Sequence, residues 1–220
     1  MMDSAYPALD EDAVLWTPGD RTGKPLLVLL HGYGANEQDL FGLVPYLPDA
    51  FSCAAVRAPL NPPWPAPGYS WYPIDDLSSR DPENVTAAAT RLIEWLDAAA
   101  GATEVGLLGF SQGGAVALQT LRIAPERFGF AVNLSGYATP GALPGDTVLG
   151  ERKPPVFWGR GARDEVIPEP LILHTVDWLP GHSELSGRVY PELAHGVAED
   201  ELADIRVFLE KWLAERDAST

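Results

Sequence analysis

One serine of this chain stands in a pattern that is typical of acyl-transfer chemistry. Ser111 lies in residues 109–114, which read GFSQGG, directly after a short apolar run that starts at Val105. Apolar residues at helical spacing follow until Pro125 ends the pattern. This context predicts a nucleophile elbow, because the neighbouring glycines let a helix pack against the strand it has just left. The alternatives are a glycine-rich turn with an incidental serine, or a phosphate-binding loop, whose motifs are absent here.

A serine hydroxyl needs a base to take its proton and a carboxylate to orient that base. Asp164 and His195 follow Ser111 in the chain order that the fold with this elbow uses. Each of the three residues comes just after a predicted strand, where ligands collect in open parallel sheets. We therefore expect Ser111 as nucleophile, His195 as base and Asp164 as acid.

Other residues of the same types compete for these roles. The rivals are His31, His174 and His182 for the base, Asp146, Asp177 and Asp200 for the acid, and Ser135 for the nucleophile. Asp177 falls inside a predicted helix, and Asp200 opens another, where a first-turn acid has a capping explanation. His174 is also helical, and Ser135 ends a strand without an elbow. Asp146, in the loop before the strand that precedes Asp164, remains open as an alternative acid.

The negative oxygen of a tetrahedral intermediate needs two preorganised donors. In this fold one donor is the amide that follows the nucleophile, here Gln112, and the other comes from the loop after an earlier strand. The segment 31–34, which reads HGYG, is such a loop, and we select the amide of Tyr33. The alternative for this segment is a tight turn that needs positive backbone dihedrals.

A proline-rich loop from residue 58 to residue 81 carries several aromatic side chains. They are Trp64, Tyr69, Trp71 and Tyr72. Long loops inside a compact domain are usually functional or disordered, and disordered segments are poor in aromatic residues. We expect these four side chains to line the substrate pocket. The alternative is that they only attach the loop to the body of the protein.

Strands and helices alternate along the chain. Strands are predicted at 13–16, 26–30, 53–56, 105–108, 130–135, 155–159 and 188–190, and helices at 37–47, 82–100, 115–124, 169–178 and 199–216. The run 26–30 is apolar at every position, as in a strand buried on both faces of a parallel sheet. The alternation predicts an α/β fold with a mostly parallel central sheet flanked by helices, in one domain over residues 1–220.

Composition excludes several classes of function. The 220 residues include 15 basic and 31 acidic ones, and the formal charge of −16 argues against nucleic acid and anionic membranes as partners. The single cysteine, Cys53, excludes an internal disulfide and lies in an apolar run, as a buried thiol would. The first residues have no signal-peptide pattern, and no apolar run approaches the length of a membrane-spanning helix. A cytoplasmic location is the resulting expectation.

With these residues assembled, the chain resembles the phospholipase/carboxylesterase family of the α/β-hydrolase fold. The resemblance runs from about Pro25 to the C-terminus, on the segments 30–36 (LHGYGAN), 70–72 (SWY), 109–114 (GFSQGG), 134–137 (LSGY), 161–168 (GARDEVIP) and 194–196 (AHG). It implies the same nucleophile, acid and base, the same two amides, no large cap domain, and no cofactor or metal. Two departures from the family pattern are the Gly159-Arg160-Gly161 sequence, where His-Gly is common, and the proline-dense segment 61–67.

These observations predict a serine carboxylesterase that hydrolyses short- to medium-chain acyl esters, lysophospholipids or thioesters through an acyl-serine intermediate. The alternatives are a hydrolase-shaped binding module without relevant turnover and an acyltransferase with the same residues. The expected partner is a small acyl ester, with no nucleic acid and no stable membrane insertion. A homodimer is compatible with the sequence.

Overall fold

The computed structural model describes residues 6–63, 65–74, 80–99 and 104–218. Its strands are β1 (Leu15–Trp16), β2 (Leu26–Leu30), β3 (Ser52–Val56), β4 (Val105–Phe110), β5 (Phe128–Leu134), β6 (Pro155–Gly161) and β7 (Glu184–Tyr190). Its α-helices are α1 (Glu37–Phe41), α2 (Pro82–Ala99), α3 (Gln112–Ile123), α4 (Gly145–Arg152), α5 (Glu169–His182) and α6 (Glu199–Ala218).

The seven strands form one sheet in the order β1-β3-β2-β4-β5-β6-β7. All neighbouring pairs are parallel except β1 with β3, so the antiparallel pair lies at one edge. Helices α2 to α5 contribute to the core on one face of the sheet, and α1 and α6 contribute to the core on the other. The predicted α/β-hydrolase-like architecture is therefore confirmed.

Strand β2 shows why its sequence is apolar at every position. All five of its residues are buried, and they alternate between the two cores: Val28 and Leu30 belong to the core on the α3 face, whereas Leu27 and Leu29 belong to the core on the α6 face. A strand covered on both faces by helices needs no polar side. The carboxyl end of β2 leads directly into the HGYG segment.

Helix α2 starts where its sequence signals place it. Pro82 is its first residue, and the side chain of Asp81 accepts a hydrogen bond from the Glu83 amide at 2.9 Å. A proline in the first turn and an aspartate before it satisfy the helix start together.

Three helices differ from the sequence prediction. Helix α1 ends at Phe41 and is followed by a short 3-10 helix (Val44–Tyr46), where the sequence predicts one helix over 37–47. Helix α4 lies in a segment that the sequence predicts as loop, and α5 continues through Pro180 to His182. The end of α5 is stabilised by side chains, because the His182 imidazole bonds the Trp178 carbonyl at 2.8 Å and the Ser183 hydroxyl bonds the Leu179 carbonyl at 2.8 Å. These side-chain bonds reach carbonyl groups of the last helical turn.

Candidate active site

The turn between β4 and α3 places Ser111 in a strained backbone conformation. Its φ is +54° and its ψ is −113°, a region that side-chain-bearing residues rarely occupy. The Ser111 amide donates to the Leu134 carbonyl of β5 at 2.7 Å, which holds the turn against the neighbouring strand. The strand-turn-helix geometry of a nucleophile elbow is thus present.

Glycines make this turn sterically feasible. A Cβ on Gly113 would lie 2.0 Å from the Leu30 carbonyl oxygen, and a Cβ on Gly109 would lie 2.2 Å from the Gly113 carbonyl oxygen. Both contacts are with backbone atoms, which cannot move aside as a flexible side chain can. The glycines on each side of Ser111 therefore let α3 start close to β2 and β4.

The loops after β6 and β7 bring Asp164 and His195 to Ser111. The His195 imidazole lies with Nε2 2.8 Å from the Ser111 Oγ and with Nδ1 2.8 Å from the Asp164 Oδ2. Because a carboxylate only accepts, Nδ1 carries the proton and Nε2 is left to accept from the serine hydroxyl. The three residues, 84 and 31 positions apart along the chain, form one hydrogen-bonded chain.

The Asp164 carboxylate is held by more than the imidazole. Its side chain is 2% exposed, and its Oδ1 accepts from the amides of Val166 at 2.9 Å and Ile167 at 3.2 Å. Burial alone would raise the pKa of Asp164, but the hydrogen bonds from His195 and these amides outweigh it and lower that pKa below its ordinary value. Asp164 is therefore a fixed anion beside the imidazole.

The rival acid, Asp146, has a different partner. Its two carboxylate oxygens accept from Nε and Nη2 of the buried Arg122, both at 2.8 Å. Of the rival bases, His174 lies near the Thr139 carbonyl and His182 near the Trp178 carbonyl. None of these pairs includes Ser111.

His31 is buried next to the candidate oxyanion loop. Its Nδ1 donates to the Gly32 carbonyl at 2.7 Å, and its Nε2 accepts from the Ala58 amide at 3.1 Å. Burial lowers the pKa of His31, which favours this neutral form. Because C=O and N–H point in opposite directions across a trans peptide, anchoring the Gly32 carbonyl also directs the Tyr33 amide.

The amides of Tyr33 and Gln112 have the character that an oxyanion hole requires. Among the described residues, the Tyr33 amide has no hydrogen-bond acceptor. Gln112 is the first residue of α3, so its amide has no acceptor within the helix. Tyr33 and Gln112 line the same pocket as Ser111, and the role of their amides as oxyanion donors stays a prediction.

The Gln112 side chain has a role that the sequence does not reveal. Its Oε1 accepts from the Trp71 amide and its Nε2 donates to the Tyr72 carbonyl, both at 2.7 Å. The Trp71 indole in turn donates to the His31 carbonyl at 2.8 Å. The residue after the nucleophile thus fixes a loop segment 40 residues earlier in the chain.

These contacts correct the predicted substrate pocket. Trp71 is fully buried, and Tyr69 lies under the Arg57 guanidinium, 4.7 Å from it, so neither lines the pocket beside Ser111. For them the alternative, attachment of the loop to the body, is the better description. Tyr72 does line the pocket, and Trp64 lies outside the described residues.

The pocket beside Ser111 and Gln112 has a volume of about 160 Å³. It is also lined by Tyr33, Tyr72, Ile74, Arg80, Tyr137 and the Val166-Ile167 pair. Tyr137 ends the LSGY segment, so its motif gave a signal. No motif in the sequence marks Ile74 or Arg80 as pocket residues.

Three further features bear on function: metal ligands, membrane-spanning helices and the single cysteine. Residues 6–63, 65–74, 80–99 and 104–218 contain no group of three or more His, Cys, Asp or Glu side chains that could hold a metal ion. In the same ranges, no helix is both long and apolar enough to cross a membrane. Cys53 is buried, and burial raises the pKa of its thiol to about 12, as expected of a structural cysteine.

Comparison with known proteins agrees with this geometry. Over residues 13–213 the chain matches the family model described as Phospholipase/Carboxylesterase. A solved carboxylesterase from Bacillus cereus has the same fold, with a TM-score of 0.77 and 21% identity over 90% of this chain and 93% of that one. The fold is that of the α/β-hydrolases. The chain belongs to the phospholipase/carboxylesterase family.

Relatives differ in the length of the matching region and in the activity that their names state. Acyl-protein thioesterase 1 of Saccharomyces cerevisiae is 36% identical over 110 residues, and the match covers 48% of each protein. A probable carboxylesterase of Oryza sativa subsp. japonica is 29% identical over 85% of this chain and 86% of its own. A second rice protein, named a probable inactive carboxylesterase, is 30% identical over 85% and 84%. Family membership alone therefore does not decide whether a chain turns over substrate.

Proposed function

We propose that this protein is a serine esterase that hydrolyses short- to medium-chain acyl esters, including thioesters, through an acyl-Ser111 intermediate. One observation supports this most strongly: the unbroken hydrogen-bonded chain from Ser111 through His195 to Asp164, with 2.8 Å at both links. A binding module would have no need of a buried carboxylate that orients an imidazole toward a serine hydroxyl.

The first half of the reaction forms the acyl-enzyme. The Ser111 Oγ attacks the carbonyl carbon while His195 Nε2 takes its proton, and Asp164 stabilises the resulting imidazolium. The amides of Tyr33 and Gln112 donate to the oxyanion of the tetrahedral intermediate. That intermediate collapses as the carbon–oxygen bond to the alcohol breaks, and His195 gives its proton to the leaving oxygen.

The second half repeats these steps with water. His195 takes a proton from a water molecule that attacks the acyl carbon, and the second tetrahedral intermediate releases the acid and regenerates Ser111 with its proton. Thioesters enter by the same route with sulfur as leaving atom. If an alcohol took the place of water as acyl acceptor, the protein would be an acyltransferase. Analysis of the reaction products identifies which acceptor takes the acyl group.

The size of the pocket sets the expected acyl length. The pocket of about 160 Å³ is smaller than the roughly 300 to 1,000 Å³ of typical sites for drug-sized ligands, so we expect it to take a short acyl chain. Each methylene that is buried adds about 0.8 kcal/mol, and methylenes beyond the pocket add little. With p-nitrophenyl esters, kcat/KM should rise over the first few acyl carbons and decline for long chains. A rate that rises steadily up to palmitate would contradict this pocket as the acyl site.

A fluorophosphonate probe tests the proposed nucleophile. We expect stoichiometric labelling of Ser111, located by peptide mass mapping, and no labelling of the Ser111→Ala variant. Labelling of Ser135, or none at neutral pH, would contradict the proposal and favour the alternative of a binding module, for which the name of one rice relative sets a precedent.

We further propose a reducing compartment such as the cytoplasm, since the one cysteine is buried and unpaired. A homodimer stays a prediction, which light scattering coupled to size-exclusion chromatography checks.

A further inference from the structure

The pocket beside Ser111 contains three polar groups that the acyl-transfer steps do not use. They are the Arg80 guanidinium and the hydroxyls of Tyr72 and Tyr137. Arg80 is the only charged side chain among the described residues that line this pocket. A pocket meant for an alkyl chain alone would have no need of these donors, because a polar group costs free energy when it is buried against methylenes.

The two tyrosines form a buried pair. Their hydroxyl oxygens are 2.7 Å apart, and both side chains are almost fully buried. Burial raises the pKa of Tyr72 well above its ordinary value and that of Tyr137 to about 12, so both hydroxyls keep their protons at neutral pH. One proton makes the bond between them. The other has no acceptor among the described residues.

Arg80 adds positive charge at the same place. Arg80 lines the same pocket as the two tyrosines, and its positive charge lowers the pKa of both hydroxyls against the effect of burial. A guanidinium has five N–H donors, so Arg80 can hold other neighbours and still present a donor to the pocket.

We propose that Arg80 and the Tyr72–Tyr137 pair bind an anionic oxygen group on the substrate, so that the preferred esters carry a carboxylate or a similar anion a few atoms from the scissile bond. This inference rests on the proposed function of Ser111. Arg80 is a specificity-determining residue in this view and takes no part in the bond-making steps. The protein's net charge of −16 disfavours anions at long range, so any preference for them must come from local donors.

The test compares matched esters at constant ionic strength. In the acyl arm, mono-4-nitrophenyl adipate is compared with its terminal amide and with 4-nitrophenyl hexanoate. In the alcohol arm, the butanoyl ester of 4-hydroxybenzoate is compared with that of 4-hydroxybenzamide. We expect kcat/KM to favour the anionic ester by about tenfold to a hundredfold in one of the two arms, since hydrogen bonds to charged groups are the stronger kind. The arm that shows the preference identifies which part of the substrate carries the anion.

Variants assign the preference to the pocket. Arg80→Gln should abolish it, measured as the ratio of kcat/KM for the anionic ester to kcat/KM for its neutral partner, and Arg80→Lys should restore part of it. Tyr137→Phe, which removes one hydroxyl and no charge, should lower the preference several-fold and provides an independent check if Arg80→Gln folds poorly. Arg127→Gln makes the same charge change at a surface pair with Asp97 and should leave the preference unchanged.

The two proposals fail in different ways. If 4-nitrophenyl hexanoate is not hydrolysed and Ser111 is not labelled, the proposed function fails. If the hexanoate is hydrolysed but the neutral ester is preferred in both arms, or if Arg80→Gln and Tyr137→Phe leave the preference intact, the anion-binding inference is overturned and the esterase proposal stands.

Discussion

Helix α3 has a hydrogen-bonded aspartate at each end, and the two sites differ in what they leave unpaired. At the C-terminal end, the five N–H donors of Arg122 are all used by Asp146 and by oxygen atoms of Thr139, Gly141 and Gln119. At the N-terminal end, Asp164 reaches Ser111 only through an imidazole, and nearby amides are left free. In the Arg122–Asp146 network every guanidinium donor is hydrogen-bonded, as in a stabilising network. The site at Ser111 still has donors that can bond a reacting group.

The basic residue at the C-terminal end of α3 is also less exposed to solvent than the imidazole at the N-terminal end. Arg122 has a relative exposure of 0% and lies over the Trp178 ring at 4.8 Å, whereas the His195 side chain is 16% exposed. A saturated ion pair with a buried arginine contributes to stability or to the choice of one packing arrangement. A partly exposed imidazole can exchange protons with substrate and water. Substitutions at the two ends should therefore affect different quantities.

The largest expected effect is the loss of turnover when a residue of the site at the N-terminal end of α3 is substituted. Ser111→Ala or His195→Ala should lower kcat for a p-nitrophenyl ester by about 10⁴ to 10⁶, since either change removes the nucleophile or its base. Urea unfolding of both variants should give free energies close to wild type. Residual activity above a few per cent of wild type would mean that another serine or base does the chemistry.

Substituting the two aspartates shows which end of α3 supports turnover and which supports stability. Asp164→Asn should lower kcat by about 10⁴, because an amide cannot stabilise the imidazolium and favours the wrong tautomer. Asp146→Asn should leave kcat nearly unchanged but lower the free energy of unfolding by up to about 3 kcal/mol, because it leaves the Arg122 charge without its anion. Activity assays and urea unfolding on both variants check this pair. The reverse pattern would reassign the acid to Asp146.

The N-terminal site could be predicted from the sequence because its signals are local or topological. The glycines around Ser111 have no other purpose than a sharp turn, and the carboxyl ends of parallel strands meet at one edge of the sheet. Asp164 follows strand β6, which has an apolar pattern, whereas His195 follows the edge strand β7, of which only residues 188–190 are predicted from the sequence. Their convergence thus follows from the fold class.

The pocket and the C-terminal site could not be predicted in this way. The sequence predicts Trp71 in the pocket because aromatic residues suit an acyl wall, but the Gln112 side chain and the His31 carbonyl hold it in the core. The sequence does not predict helix α4 because its segment is rich in glycine and proline, and the bond that joins its first turn to α3 comes from Arg122 to Asp146. Both errors arise from side-chain bonds between residues far apart in sequence, which periodicity does not reveal.

Another buried carboxylate sharpens the contrast, because no cation among the described residues pairs with it. Glu201, in the first turn of α6, is fully buried and faces β6, where a Cβ on Gly159 would lie 2.0 Å from its Oε1. Burial raises the pKa of Glu201 to about 7; the Ala198 amide opposes this, and Asp200 and Asp204 add to it. The folded state therefore binds this proton more tightly than the unfolded state does.

The sign of the pH effect follows. The stability that Glu201 contributes is fully present below its ordinary pKa of 4.5 and is lost as pH rises through about 7. The loss amounts to roughly 3 kcal/mol for such a shift. Glu201→Gln cannot lose a proton, so its free energy of unfolding relative to wild type should increase between about pH 5 and pH 8. Parallel pH profiles for the two proteins would show that Glu201 does not titrate in this range.

The smallest expected effect concerns backbone strain at Ser111. A residue with a side chain at φ +54° and ψ −113° costs on the order of 1 to 3 kcal/mol, which the surrounding contacts sustain because the hydroxyl must face His195. Ser111→Gly should relieve this strain, whereas Ser111→Ala keeps it, and both remove the nucleophile. Part of the gain is offset because glycine gains about 0.5 to 1 kcal/mol more conformational freedom on unfolding. Urea unfolding should thus find the glycine variant more stable than the alanine variant by about 1 kcal/mol. Equal stabilities would indicate that the elbow relaxes when the hydroxyl is removed, so that the strain depends on the Ser111–His195 hydrogen bond rather than on the packing of α3 against β4.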